Sequence, residues 1–138
     1  EFVQDLRFTT ENTMILNVRS EKNLVGVHPD LVAIVRKAAE ITTIPFVVIE
    51  GVRTKERQAQ LVKAGASQTM NSRHLTGHAI DLAALVGEEI RWDWPLYDKI
   101  AKAMEFAANQ LKLPVTWGGS WKSFKDGPHF ELPVSKYP

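Results

Sequence analysis

Ser72-Arg73-His74-Leu75-Thr76-Gly77-His78-Ala79-Ile80-Asp81, completed far downstream by Asp126-Gly127-Pro128-His129, is the stretch on which the reading of this chain turns. Two imidazoles and one carboxylate, from His74, His129 and Asp81, can fill three corners of a tetrahedral zinc site. The fourth corner then stays open for water, which separates a catalytic zinc from a structural one. His74 and Asp81 are too far apart to sit on neighbouring turns of one helix, but Gly77 permits a sharp reversal between them. A loop histidine and a strand aspartate can then converge, with His129 arriving from a remote strand. Asp126 lies shortly before His129, where its carboxylate can serve the water as a base. Taken singly, these are a surface histidine, a capping or paired aspartate, a core histidine and a turn aspartate. Taken together they favour a metal site.

Outward from this stretch, Ala79-Ile80-Asp81-Leu82 suits a strand entering the core, within a roughly alternating run over 78–85. Upstream, Pro29 and Asp30 open a helix in which Leu31, Ile34, Val35 and Ala38 recur at helical spacing. Ile44-Pro45 breaks it, and Phe46-Val47-Val48-Ile49 reads as a buried strand that Gly51 ends. Thr54 caps a second helix over 56–64, and Gly65 stops it. Residues 66–73 are polar and read as a loop. Pro95 begins the strongest helix, where Leu96, Ile100, Ala103, Met104, Ala107 and Leu111 make one apolar stripe. Short strands are expected at 115–117 and 129–132, with a loop over 118–128. Residues 9–18 read as an edge strand or an ordered arm. Helices and strands alternate without βαβ repetition, so the expected class is α+β: a small, mainly antiparallel sheet packed with helices.

The chain has 138 residues, enough for one domain with a real core. Lys and Arg total 17 against 16 for Asp and Glu, and a net charge of +1 makes no electrostatic case for nucleic acid. There is no cysteine, which removes disulfides, thiolate ligands and thiol nucleophiles together. No apolar run reaches the length of a membrane span, and the start lacks the basic-then-apolar pattern of a signal peptide. His-Glu-x-x-His, the commoner metalloprotease helix motif, is absent.

Further residues cluster around the stretch in sequence. Arg53 follows the 46–49 strand and can hold a substrate carboxylate or a developing oxyanion; alone it would read as a surface ion-pair residue. Ser72 can orient substrate or a ligand. His78 is not needed by a three-ligand site and either supports it from behind or is exposed. Glu131 is placed to hydrogen-bond His129. Trp117 and Trp121 can wall a cleft, although tryptophans are more often core.

Ser-x-His-x-x-Gly-x-Ala-x-Asp with a later acidic-x-x-His resembles the zinc peptidases that include D-Ala-D-Ala carboxypeptidases and vancomycin-resistance dipeptidases. Within that family the chain is most similar to the L-alanyl-D-glutamate endopeptidases of phage endolysins. Gly51-Val52-Arg53-Thr54, Gly65 through Thr69, Ser72 through Asp81, Trp117 through Trp121 and Asp126 through Glu131 carry the likeness, in order. The acid before the last ligand is Asp126 here, whereas the carboxypeptidase and dipeptidase branches usually carry Glu. That tilts the choice to the endolysin branch.

The resemblance implies one zinc ion per chain on His74, Asp81 and His129, Asp126 as general base and Arg53 as transition-state or substrate stabiliser. It implies a fold shared with DD-peptidases and the Hedgehog signalling domain. It implies hydrolysis of the L-Ala-D-Glu bond of bacterial peptidoglycan, with a D-Ala-D-Ala carboxypeptidase or dipeptidase, or a non-catalytic zinc-stabilised wall-binding module, as rivals. A muramidase is weaker, since no carboxylate pair is specified. We expect a single zinc peptidase domain over 24–138. Residues 1–23 are expected to be an arm of open role, derived in part from the expression vector, since the chain starts Glu1-Phe2 rather than Met. We further expect a monomer without membrane insertion, made in the cytoplasm without a signal peptide. It would act on the wall after release through a holin-like pore.

Overall fold

The computed structural model describes residues 7–8 and 14–138. Of the stretch read as an edge strand or arm, residues 9–13 lie outside the described residues. Met14–Ile15 forms strand β2, paired antiparallel with β1 (Arg7–Phe8). Beyond it the chain turns helical sooner than the sequence suggests, as α1 (Val18–Asn23). The six residues VRSEKN carry no apolar stripe, so tertiary contacts define this helix. The Asn17 side chain accepts from the Ser20 N–H at 2.9 Å and caps it. Buried Ser20 Oγ accepts from the Val48 N–H at 2.9 Å, and Asn23 Nδ2 donates to the Val48 carbonyl at 2.7 Å. Both ladder groups of Val48 on that side are thereby satisfied, and α1 covers the edge of the strand that Val48 belongs to. Met14 and Leu16 are buried in the main core.

That strand is β3 (Phe46–Glu50), which follows α2 (Pro29–Ile41). As expected, Pro29 stands at the start of α2, and the His28 side chain accepts from the Asp30 N–H. Next come α3 (Lys55–Lys63), the long strand β4 (Ala79–Val86) and β5 (Glu89–Arg91). The chain ends through α4 (Trp94–Leu111), β6 (Thr116–Trp117) and β7 (His129–Glu131). The sheet runs β3-β4-β7-β6, with β5 also pairing with β4, and all its pairings are antiparallel. The expected α+β class is what the structure shows.

Strand β4 organises the whole. Ile80, Leu82 and Ala84 join Phe46, Val48 and Phe130 on the face packed against α2 and α4. Ala83 and Leu85 point the other way, into a small second cluster with Val47 and Ile90. Burial on both faces explains why 78–85 alternates only roughly in sequence. Each fully buried Leu or Ile here contributes roughly 1.5–3 kcal/mol. The β4–β5 hairpin was not foreseen; Gly87, at φ +64°, makes its turn. The Tyr97 hydroxyl ties the hairpin to α4, accepting from the Ala84 N–H at 3.0 Å and donating to the Arg91 carbonyl at 2.7 Å.

Before β4 the chain makes a single 3-10 turn, Arg73–Thr76, and Gly77 ends it at φ +79°. A Cβ on Gly77 would run into the Gly26 carbonyl oxygen. Gly77→Ala therefore combines a left-handed backbone with a backbone collision, and should lower stability by about 1–3 kcal/mol. Urea unfolding measures this, and an unchanged midpoint would contradict the turn geometry.

Candidate active site

Sheet register places the chemistry. Asp81 on β4 lies opposite His129 on β7 and opposite Glu50 on β3. An irregularity between Val48 and Glu50 brings Glu50 into that row. Glu131, two residues beyond His129, shares its face of the sheet.

His74 comes from the 3-10 turn. Ser72 starts that turn, and its Oγ accepts from the His74 N–H at 3.2 Å. The Arg53 N–H donates to the His74 carbonyl at 2.9 Å, which joins the loop after β3 to the same turn. His74 Nδ1 lies 2.9 Å from the Gly51 carbonyl. A carbonyl only accepts, so Nδ1 donates there and Nε2 is the nitrogen turned towards Asp81. Gly51 has no room for a side chain, since a Cβ there would collide with the Asn23 carbonyl. His74 Nε2 stands 3.3 Å from Asp81 Oδ1, and His129 Nδ1 stands 3.2 Å from the same oxygen. The two rings meet edge to face with centroids 5.1 Å apart. His129 Nε2 lies 2.7 Å from Glu131 Oε1, so Glu131 fixes that ring by the nitrogen pointing away from Asp81.

One ligand atom from each of His74, Asp81 and His129 lies within 4.8 Å of the others, so the three could hold a metal ion. Their donor chemistry fits one: two imidazoles, each oriented through its other nitrogen, and a carboxylate kept ionised. Burial opposes the Asp81 charge, but hydrogen bonds from His129 and His74, and their charge, hold its carboxyl below the ordinary carboxylate range. Burial likewise opposes charge on His129. Hydrogen bonds to Asp81 and Glu131, with the charge of Asp81 and Asp126, outweigh it and push His129 up to about 9.

Arg53 is buried and fully engaged on one side. Its Nε and Nη2 donate to the two oxygens of Glu50 at 2.8 and 2.7 Å, and Nη1 donates to Gln58 Oε1 at 2.8 Å. Nη2 also lies 3.6 Å from Asp81 Oδ2. Asp126 is half-buried. Burial first, then the negative charge of Asp81, raises its carboxyl above the ordinary value against the pull of His129, His74 and Arg53. Gly118 lets its segment approach closely: a Cβ there would strike the Asp126 carbonyl and crowd His129.

These groups open onto a cleft of about 770 Å³ that Arg53, Ser72, His74, Asp81, Asp126, His129, Glu131 and Trp121 help to line. Trp121 also sits against the His129 ring, centroids 5.1 Å apart. Two sequence candidates lie elsewhere. Trp117 is not on the cleft wall; it stacks over Phe130, and its Nε1 donates to the Gly127 carbonyl at 2.7 Å, bracing the loop that carries Asp126 from behind. His78 packs with His28 and Tyr137, and its Nδ1 lies 2.7 Å from Thr76 Oγ1. Two residues at the site had not been assigned a place there. Glu50 carries no sequence signal beyond being the acid that ends β3. Gln58 carried no signal beyond belonging to a helix, KERQAQLVK, with no apolar face.

The family model for phage L-alanyl-D-glutamate peptidases matches residues 13–133. The chain belongs to this family. It is 50% identical to the Serratia marcescens L-Ala D-Glu endopeptidase ChiX, whose crystal structure superposes with a TM-score of 0.84 over 88% of this chain and 91% of that one. It is 33% identical over 111 residues to the L-alanyl-D-glutamate peptidase of Escherichia phage T5, covering 78% of this chain and 81% of the phage protein. It is 39% identical over 99 residues to the L-alanyl-D-glutamate peptidase of Listeria phage A118. That match covers 72% of this chain, which spans about a third (34%) of the length of the Listeria phage protein.

Metal binding to this family member should displace a proton. Below pH of about 9 the metal-free protein holds His129 protonated, whereas a ligand must be a neutral imidazole. Affinity for a divalent ion should therefore weaken as pH falls, with about one proton released per ion near neutrality. Calorimetry in buffers of different ionisation enthalpy counts that proton, and a count of zero would contradict the charge state described.

Proposed function

We propose that the chain is a zinc-dependent endopeptidase that hydrolyses the L-Ala-D-Glu amide of the peptidoglycan stem peptide. One observation carries the reading: the His74-Asp81-His129 group lies in a cleft that Asp126 also lines, in a member of this peptidase family. Two imidazoles and a carboxylate without any thiolate suit zinc, with His74 Nε2, His129 Nδ1 and an Asp81 oxygen as ligands. When bound, such an ion supplies Lewis acidity and lowers the pKa of water to about 7.

The remaining work falls to the chain's own side chains. Asp126 takes a proton from water in the cleft and returns it to the departing D-Glu amine. Its raised pKa brings it closer to the range useful for both transfers. Arg53 supplies fixed positive charge beside Asp81 for the oxyanion that develops on the scissile carbonyl. Glu131 keeps His129 oriented, Ser72 sets the turn that delivers His74, and Trp121 shields one side of the cleft. No helix among the described residues is long and apolar enough to cross a membrane. The proposal includes action as a monomer on the wall, reached from the cytoplasm through a holin-like pore.

Mass spectrometry of purified peptidoglycan after digestion tests the reading. Expected products are peptides beginning at D-Glu, with L-Ala left on the glycan, and a chelator should abolish their release. Loss of terminal D-Ala would instead indicate the carboxypeptidase reaction, and an intact wall a binding module. Asp126→Asn should lower turnover about 10²–10⁴-fold while the protein still binds zinc; full activity would remove Asp126 as the base.

A further inference from the structure

α3 (Lys55–Lys63) is a surface helix with one buried residue, and that residue is polar: Gln58, at 0% exposure. Burying an amide costs stability unless its polar atoms are all paired. Here they are. Oε1 accepts from Arg53 Nη1 at 2.8 Å, while Nε2 donates to Ser67 Oγ at 2.8 Å and to the Thr69 carbonyl. The orientation is unambiguous, because a guanidinium only donates and a carbonyl only accepts. At one end the amide holds the guanidinium that Glu50 grips from another edge. At the other it holds Ser67 and Thr69, which line the cleft along with Arg53.

We propose that Gln58 is a positioning residue coupling the 67–69 wall of the cleft to Arg53, so that substrate seated against that wall finds the guanidinium already aimed. This rests on the reading of Arg53 and the cleft given above. The two ends of the amide do separate jobs. The oxygen sets Arg53 and so acts on turnover, while the nitrogen sets the wall and so acts on substrate binding.

Three variants separate the two ends, assayed on a soluble muropeptide containing L-Ala-D-Glu, with zinc affinity, unfolding midpoint and the ¹⁵N-¹H NMR signal of Arg53 Nε recorded for each. Gln58→Leu removes both ends. Its kcat should fall about 10- to 100-fold, as expected of a misplaced charged group, its KM should rise, and its zinc affinity should stay at the wild-type value. Gln58→Glu keeps an acceptor for Arg53 and loses both donors. Its kcat and Arg53 Nε signal should return towards wild type while KM stays raised. Ser67→Ala leaves the Arg53 end intact, and its KM should rise about two- to tenfold, the worth of one hydrogen bond, at unchanged kcat.

Equal kcat losses in the Leu and Glu variants would overturn the proposal, as would wild-type kcat and KM in Gln58→Leu well below its unfolding midpoint. If Gln58→Leu does not fold, the Gln58→Glu and Ser67→Ala pair decides: raised KM with preserved kcat in both supports the coupling, and any other pattern overturns it. Full turnover by Arg53→Ala would refute the functional reading of Arg53 instead. The Arg53 Nε signal then judges the strut alone: displaced in Gln58→Leu and restored in Gln58→Glu supports it, and a signal unmoved in Gln58→Leu overturns it.

Discussion

A carboxylate in the middle of the central strand is the constraint around which this molecule is arranged. Asp81 sits on β4 with both neighbouring strands in place, and its carboxylate faces the cleft with only 17% of its side chain exposed, so water alone does not meet its charge. It has to be met by groups the fold itself brings. His129 is delivered from β7 by register and His74 from the turn just ahead of β4, while Arg53 reaches over from the loop after β3. The neighbours on β4 serve the opposite need. Ile80 and Leu82 anchor the strand in the helix-packed core, so the position of Asp81 is fixed by hydrophobic packing on the far face.

The polar groups then form a line of alternating charge. Glu50 meets Arg53 at 2.7 Å, Arg53 meets Asp81 at 3.6 Å, Asp81 meets His129 at 3.2 Å, and His129 meets Glu131 at 2.7 Å. Each acid in the line has a cation beside it. Asp126 stands outside, close enough to feel the Asp81 charge but, among the described residues, without an ion pair of its own. Similar carboxylates in one cleft are thus driven apart in proton affinity, Asp81 downward and Asp126 upward. That division suits one to hold a cation and the other to move a proton.

Much of this was legible in the residues because the chemistry is local in type. The Ser72–Asp81 stretch announces its turn through Gly77 and its strand through Ala79-Ile80-Asp81-Leu82, and α2 and α4 declare themselves by apolar period and an opening proline. What stayed hidden depends on long-range pairing. α1 owes its existence to Ser20 and Asn23 binding the edge of β3, which no window of VRSEKN reveals. Trp117 fits a cleft wall by composition, yet the register of β6 on β7 sets it opposite Phe130, behind the Asp126 loop. Glu50 and Gln58 are polar residues in unremarked positions; their meaning appears only once Arg53 is seen clasped between them.

The central claim is that strand register and the 74–77 turn together build one metal site from His74 Nε2, Asp81 and His129 Nδ1. Anomalous diffraction at the zinc edge from crystals grown with zinc tests it most directly. The account predicts a single strong peak in contact with those three atoms, with Glu131 still on His129 Nε2. A peak on His129 Nε2, or on His28 and His78 instead, would contradict it.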